Sequence, residues 1–340
     1  MVLDGQSSQS IALAAQALQR GELIGLPTET VYGLAADACN AQAVAKIFDI
    51  KGRPSDHPLI VHVTDIESAN RFVSDIPDFA KRLINTFWPG PLTLILPRIR
   101  DVATVAAGGQ NSVGIRCPSH LIARQILLAA QHLGVLGLAA PSANKFGRVS
   151  PTTAAHVREE FGEVLLIVDG GACDVGIESA IVDCTRGQPV LLRPGVLTLE
   201  QLSLACGEKV LLEGDMRTKA VSSPKASGTL AAHYAPVAKL FLMDIQEIEQ
   251  KLAQRKEDFT LAIWSRAPLN AQFQEPSDKK SAIHWQQMPS DPVQCAHALF
   301  AQLRAFDSLG VNQIWVESPP SNSAWEGVHD RLRRAETAGR

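Results

Sequence analysis

The chain has 340 residues, enough for two domains that each bury a core. Hydrophobic residues make up 46% and charged residues 20%, an ordinary globular composition that excludes a disordered or fibrous chain. A net charge of -3 excludes a global basic field that would draw the chain to nucleic acid, and leaves room for a local basic pocket. The six cysteines form neither a CxxC pair nor a metal-ligand spacing, which fits free thiols in a reducing compartment. The amino terminus carries no signal-peptide pattern, and no apolar run approaches the ~20 residues of a membrane span. A cytoplasmic location without membrane contact is the expectation.

Ser10 is placed to cap a first helix with Ile11, Ala14, Ala15 and Leu18 as its stripe and Gly21 as its stop. The segment from Gly21 to Val63 then reads as strand, polar loop, helix, basic loop and strand. The first strand ends at Pro27, and Thr28, Glu29 and Thr30 follow it. Asn40 caps a helix whose apolar face holds Ala43, Val44, Ile47 and Phe48; it stops at Lys51-Gly52-Arg53-Pro54. Leu59 to Val63 alternates as a strand, with Ile60 and His62 on one face.

Further on, a helix near Ile76 to Phe87 precedes a rigid Trp88-Pro89-Gly90-Pro91 turn and a buried strand from Leu92 to Leu96. Ser112 to Arg116 is a short strand, and Ser119 caps a helix that runs to Gly134. Val135 to Ala140 is a strand that breaks into the Pro141-Ser142-Ala143-Asn144 loop. Ser150 to Thr153 opens a helix to about Phe161. Val164 to Asp169, Ser179 to Asp183 and Val190 to Arg193 read as strands, and Thr198 with Gln201 has capping-box spacing. Residues 213–237 lose apolar periodicity and read as a linker. Alternating strands and helices follow from Lys239, suggesting a small Rossmann-like sheet covered by helices. The domains expected are residues 1–212 and 238–340.

General motifs exclude several chemistries. The chain has no P-loop, no GxGxxG, no GxSxG elbow and no HExxH. What remains is a set of polar residues at strand ends and loops. Lys51, Arg53, Arg116 and Arg193 are cations beside Gly or at strand ends; Thr30, Ser112, Ser142, Ser150 and Ser179 are hydroxyls near strand termini, and Asn144 adds an amide. Such cations suit a triphosphate, and hydroxyls and amides can orient it. Each residue also has a plain structural reading. Lys51 and Arg53 complement a helix macrodipole, each Ser or Thr serves a turn or cap, and His62 is a satisfied strand histidine.

The motifs PTETVYGL, KIFDIKGRP, PLIVHV, SVGIRCP, APSAN, VSPT, ESAIVD and LLRPG, then HYAP and a VHDRLRRA tail, appear in that order. Together they closely resemble the YrdC-type threonylcarbamoyl-AMP synthases, in the long form with an extra C-terminal domain. The resemblance covers nearly the whole chain. It implies an α+β fold, with a twisted mixed sheet and a concave basic cavity, plus the small Rossmann-like C-terminal domain. It implies that Lys51, Arg53, Ser142 and Asn144 form a polar tetrad at the nucleotide phosphates. ATP contacts are implied for Arg53, His57, Ser112, Ser142, Ser150, Arg193 and Tyr234, and L-threonine contacts for Thr30, His62, Arg116, Ser179 and the backbone around Ala140. His57 stands where these enzymes usually carry Asn, which adds a titratable charge.

The activity implied is synthesis of threonylcarbamoyl-AMP from L-threonine, bicarbonate and ATP, with no protein metal site and with Mg2+ held mainly by phosphates. A downstream threonylcarbamoyl-transfer complex and tRNA are the implied partners. Residues from Ser222 to Tyr234 are expected to form a lid over the bound nucleotide. Two other classes share the fold. An RNA-binding module is disfavoured by charge and by the lack of aromatic interleaving. A carbamoyl-transfer domain of the hydrogenase-maturation type would call for acylphosphatase or zinc-finger segments, which the chain does not contain.

Overall fold

The computed structural model describes residues 1–213, 223–255, 259–269 and 282–339. Its described residues fall into two compact units, one from 1–146 and 150–229, the other from 147–149 and 230–340.

The first unit begins with β1 (Val2–Asp4), α1 (Ser8–Gln19), β2 (Ile24–Leu26), β3 (Gly33–Asp37), α2 (Ala41–Lys51) and β4 (Ile60–His62). It continues through α3 (Ile66–Ala69), α4 (Asp78–Phe87), β5 (Leu92–Pro97), β6 (Ser112–Arg116), α5 (Leu121–His132) and β7 (Leu138–Ala139). It closes with α6 (Ala154–Phe161), β8 (Leu166–Asp169), β9 (Ala180–Asp183), β10 (Val190–Arg193), α7 (Leu199–Cys206) and β11 (Leu211–Leu212). The strands form one mixed sheet in the order β1-β8-β2-β3-β7-β4-β6-β5-β9-β10-β11.

Local chemistry sets these elements. The Asn40 side chain accepts from the Ala43 N–H at the start of α2, and Gly52 ends that helix at φ 65°, a left-handed turn that favours glycine. Thr198 and Gln201 close a reciprocal capping box on α7. Alternation along β4, β5 and β6 divides the sheet. Leu59, Val61, Leu92, Leu94, Leu96, Val113 and Ile115 enter the main core with the buried faces of α2 and α4. The opposite face of the same strands carries Ile60, His62, Thr93, Ile95, Ser112 and Arg116. Ile60 and Ile95 join Ile181 in a separate apolar cluster there. That second face holds the candidate site.

The structure departs from the sequence reading in several places. Gly33 to Asp37 is a strand rather than loop: β3 pairs antiparallel with β2 and β7. Its Ala-rich GLAAD lacks polar alternation because Gly33 to Ala36 are all buried, facing different cores. Ser10 lies inside α1 and is buried; the N-cap position belongs to Ser7. His120, not Ser119, precedes α5. Of Val135 to Ala140, only Leu138–Ala139 pairs as a strand.

The second unit comprises β12 (Lys239–Met243), α8 (Ile245–Ala253), β13 (Leu261–Ser265), β14 (Ile283–Gln287), α9 (Pro292–Ser308), β15 (Gln313–Glu317) and α10 (Glu326–Ala338). Its four strands are parallel in the order β12-β15-β13-β14. Asp244 and Asp291 cap α8 and α9 through their side chains. This is the Rossmann-like αβ layer expected from the alternation. Gly214 and Ser222 of the sequence-defined linker lie outside the described residues.

Candidate active site

Strand register builds one half of the site. His62 on β4 stands opposite Arg116 on β6, Arg116 opposite Thr93 on β5, Thr93 opposite Ile181 on β9, and Ile181 opposite Arg193 on β10. Register partners share a face, so one row across five strands gathers His62, Arg116, Thr93 and Arg193 from four separate stretches of sequence. The loop after β2 supplies the rest. Arg116 Nη1 donates to Thr30 Oγ1 at 2.7 Å, and Thr28 and Thr30 hydroxyls lie 3.0 Å apart. Arg116 Nη2 is 2.7 Å from the Glu29 carboxylate. Ala140, at the end of β7, donates its N–H to the Ile60 carbonyl at 3.0 Å. Its methyl packs at the close approach of Gly33, where an added Cβ would lie 3.2 Å from it.

Burial sets the charges in this row. His62 is fully enclosed, and burial, aided by the Arg116 guanidinium, pushes its pKa down to about 3. The imidazole is therefore neutral at ordinary pH. Burial alone would raise the Glu29 carboxyl, but Arg116 outweighs it and holds the group below the usual carboxylate range.

The basic loop after α2 forms the second half. Lys51 Nζ donates to the carbonyls of Ser142, at 2.6 Å, and of Asn144. These bonds tie the end of α2 to the loop after β7. Lys51 is buried, and desolvation, with Arg53 and Lys145 nearby, lowers its pKa well below the usual lysine value. Arg53 donates Nη2 to the Pro58 carbonyl at 3.0 Å and stacks its guanidinium 5.7 Å from the Phe146 ring centroid. His57 meets the edge of the same ring, and burial with the Arg53 charge lowers its pKa.

Ser179 joins the two halves. Its hydroxyl lies 2.8 Å from Thr93 Oγ1, and its carbonyl accepts from Arg193 Nε and Nη2 at 3.1 and 2.9 Å. Arg193 Nη1 donates to the Ser227 carbonyl at 2.8 Å, while Arg53 Nη2 reaches Ser227 Oγ at 3.3 Å. Two cations distant in sequence thus converge on one serine. Residues around Ser227 form one wall of a hollow whose other walls include Pro58, Ile60, Ile95 and Ser112. Ser150 is buried, and its hydroxyl donates to Glu178.

The structure therefore assembles Thr30, His62, Arg116, Ser179 and Arg193 in contact or in register. Lys51, Arg53, Ser142 and Asn144 meet around the basic loop. Tyr234 belongs to the second unit, buried with its ring 5.3 Å from Phe300 and 5.5 Å from the Arg331 guanidinium. Sequence reasoning did not single out Thr93, Glu178, Ser227 or the charge of Glu29. Thr93 carried a usable signal, a lone hydroxyl at the inward position of an otherwise apolar strand. The others become visible only through tertiary pairing.

Two family models match the chain in succession. The first, described as Telomere recombination (Sua5, YciO and YrdC), spans residues 16–195. The second, the threonylcarbamoyl-AMP synthase C-terminal domain, spans residues 197–337. Threonylcarbamoyl-AMP synthase of Pyrococcus abyssi is 38% identical over 334 residues, covering 96% of this chain and 93% of the relative. Its counterpart from Bacillus subtilis is 37% identical over 336 residues, covering 96% and 92%. The crystal structure of P. abyssi Sua5 complexed with L-threonine aligns at a TM-score of 0.85 with 35% identity, over 97% of this chain and 94% of that one. With both successive domains matched and the fold shared along its length, the chain belongs to the Sua5 family of threonylcarbamoyl-AMP synthases.

Proposed function

We propose that the chain is an L-threonylcarbamoyladenylate synthase. The amine of L-threonine takes up CO2 from bicarbonate, losing a proton and gaining an N-carboxylate. That carboxylate attacks the α-phosphorus of ATP, and the bond to the leaving pyrophosphate breaks. The observation that carries this reading is the continuity of the two half-sites. Arg53 and Arg193 converge on Ser227, and Arg193 leads through Ser179 and Thr93 to the row that holds Arg116 and His62. A bisubstrate reaction with no covalent enzyme intermediate needs two such sets of binding groups side by side and little else.

Arg116, Thr30, His62, Ser179 and the Ala140 backbone would hold L-threonine. Lys51, Arg53, Ser142 and Asn144 would face the phosphates where negative charge develops, with His57, Ser112, Ser150 and Arg193 around the nucleotide. Tyr234 would complete the nucleotide-binding set. Mg2+, carried in on the triphosphate oxygens, would neutralise charge there. Among the described residues no three His, Cys, Asp or Glu side chains converge to hold a metal, so the phosphates would be its main ligands. Residues 1–212 would form the catalytic domain, 213–237 a lid and 238–340 an accessory domain. Threonylcarbamoyl transfer to tRNA falls to a downstream enzyme complex.

Pyrophosphate release tests the reading. It should require ATP, L-threonine and bicarbonate together, because the nucleophile is made from the last two. Equal release without bicarbonate would overturn it.

A further inference from the structure

The ion pair between Glu29 and Arg116 has an unusual feature. Its two side chains are each 5% exposed and approach to 2.7 Å. Yet both Glu29 carboxylate oxygens lack a hydrogen-bonded donor, and Arg116 Nε and Nη2 lack a hydrogen-bonded acceptor. Only Nη1 of the guanidinium is bonded, to Thr30. Arg116 and the backbone N–H groups of Glu29 and Ser119 lie close enough to keep the carboxylate ionised, yet none is directed at it well enough to complete a hydrogen bond. A buried pair that served stability alone would satisfy its remaining lone pairs and protons, since desolvation otherwise costs more than the charges return.

The unsatisfied atoms form a template. Two carboxylate oxygens call for N–H donors bearing positive charge; two guanidinium nitrogens beside them call for oxygen acceptors bearing negative charge. An α-amino acid zwitterion presents both, on adjacent atoms. His62 faces the same pair as a neutral imidazole, and its Nδ1 is likewise without a partner among the described residues.

We infer that Glu29 is the counter-charge for the α-ammonium of the amino-acid substrate, set beside Arg116 as the counter-charge for its carboxylate. The inference rests on the proposed function and adds a residue to its substrate-binding set. It also gives the site a direction. N-carboxylation by bicarbonate (R–NH3+ + HCO3− → R–NH–CO2− + H2O + H+) forms the N–C bond, releases water and one proton, and so replaces the cation beside Glu29 with an anion. Attraction then becomes repulsion, which turns the new carboxylate away from Glu29.

Calorimetric titration tests this with two probes, L-threonine and (2S,3R)-2,3-dihydroxybutyrate, which replaces the ammonium by a hydroxyl. The wild-type protein should prefer L-threonine by ~30-fold or more, the scale of a charge-assisted hydrogen bond. In Glu29→Gln, which keeps the shape, that preference should collapse to within a few-fold while the affinity for the hydroxy acid stays near wild type. Glu29→Asp should recover part of the preference. If Glu29→Gln weakens both probes equally, the residue acts only by bracing Arg116 and the inference is wrong. Should that variant not fold, a wild-type preference below threefold overturns the inference by itself. A wild-type protein that binds no L-threonine overturns the parent reading, whereas retained threonine binding without discrimination overturns only this one.

Discussion

The Arg193 guanidinium grips Ser179 as a fork, donating Nε and Nη2 to its carbonyl while Nη2 also lies 3.3 Å from its hydroxyl. Ser179 is thereby fixed against Thr93, at the junction of the two half-sites. A lysine cannot reproduce two directed donors from one plane. Arg193→Lys should therefore lower kcat/KM by ~10-fold or more for L-threonine as well as for ATP. Steady-state kinetics with each substrate varied in turn checks this. A change confined to ATP would show that Ser179 keeps its place without the fork.

Lys51 and Arg53 separate on similar grounds. Lys51 spends two of its N–H groups on the Ser142 and Asn144 carbonyls, so Lys51→Ala should both unfasten that loop and remove a charge. Activity should fall by ~100-fold or more, with a loss of thermal stability. Arg53→Lys should impair ATP use at unchanged net charge and with little change in melting temperature. Near wild-type rates in both variants would return these residues to the role of helix-end charges.

His62 gives a pH signature. Its folded pKa is depressed to about 3, against 6.5 for the ordinary group. Below pH 6.5 the unfolded chain binds a proton that the folded protein refuses until about pH 3, so stability falls as pH drops through that window. The depressed Glu29 carboxyl contributes in the same direction, but only below its ordinary value of 4.5. Between pH 6.5 and 4.5 the two separate. His62→Asn should flatten the stability profile there by up to ~1.4 kcal/mol per pH unit. Urea unfolding of both proteins at several pH values measures it; parallel profiles would mean that His62 titrates normally.

Much of this site was legible before the fold was known, and the reasons lie in individual residues. The Asn40 cap, the Gly52 stop and the placement of Ile60 with His62 follow from local rules, so the basic loop and one strand face could be read directly. β3 was hidden because a strand buried on both faces has no polar alternation to display. The row from His62 to Arg193 was equally hidden, since strand order is a long-range property that no short window encodes. Glu29 looked like one more polar loop residue until burial and Arg116 gave its charge a meaning. The roles of Lys51, Arg53, Ser142 and Asn144 came from resemblance to a family; spacing alone left them open.

The segment around Ser227 bears on the lid. A lid was expected from Ser222 to Tyr234. Ser222 lies outside the described residues, residues 223–229 belong to the first unit, and Tyr234 belongs to the second. Lys225 pairs with Asp56 at 2.5 Å, an exposed contact of little strength by itself. Ala226 packs on the cluster containing Ile60, Ile95 and Ile181. The hollow beneath this segment is too narrow for a nucleotide as it stands, so ATP would have to move the segment and then hold it through new contacts. Trypsin cleavage after Lys225 should therefore slow by ~10-fold or more when both ligands are present. Cleavage that ligands leave unchanged would rule out a lid at this position.

The carbamoyl carbon should come from bicarbonate. Incubation with carbon-13-labelled bicarbonate, ATP and L-threonine, followed by rapid quenching and mass spectrometry, addresses it directly. An adenylate of threonine should form that carries the label in its carbamoyl group and that disappears when any of the three substrates is withheld. An unlabelled adenylate, or one that forms only when carbamoyl phosphate is supplied, would contradict it.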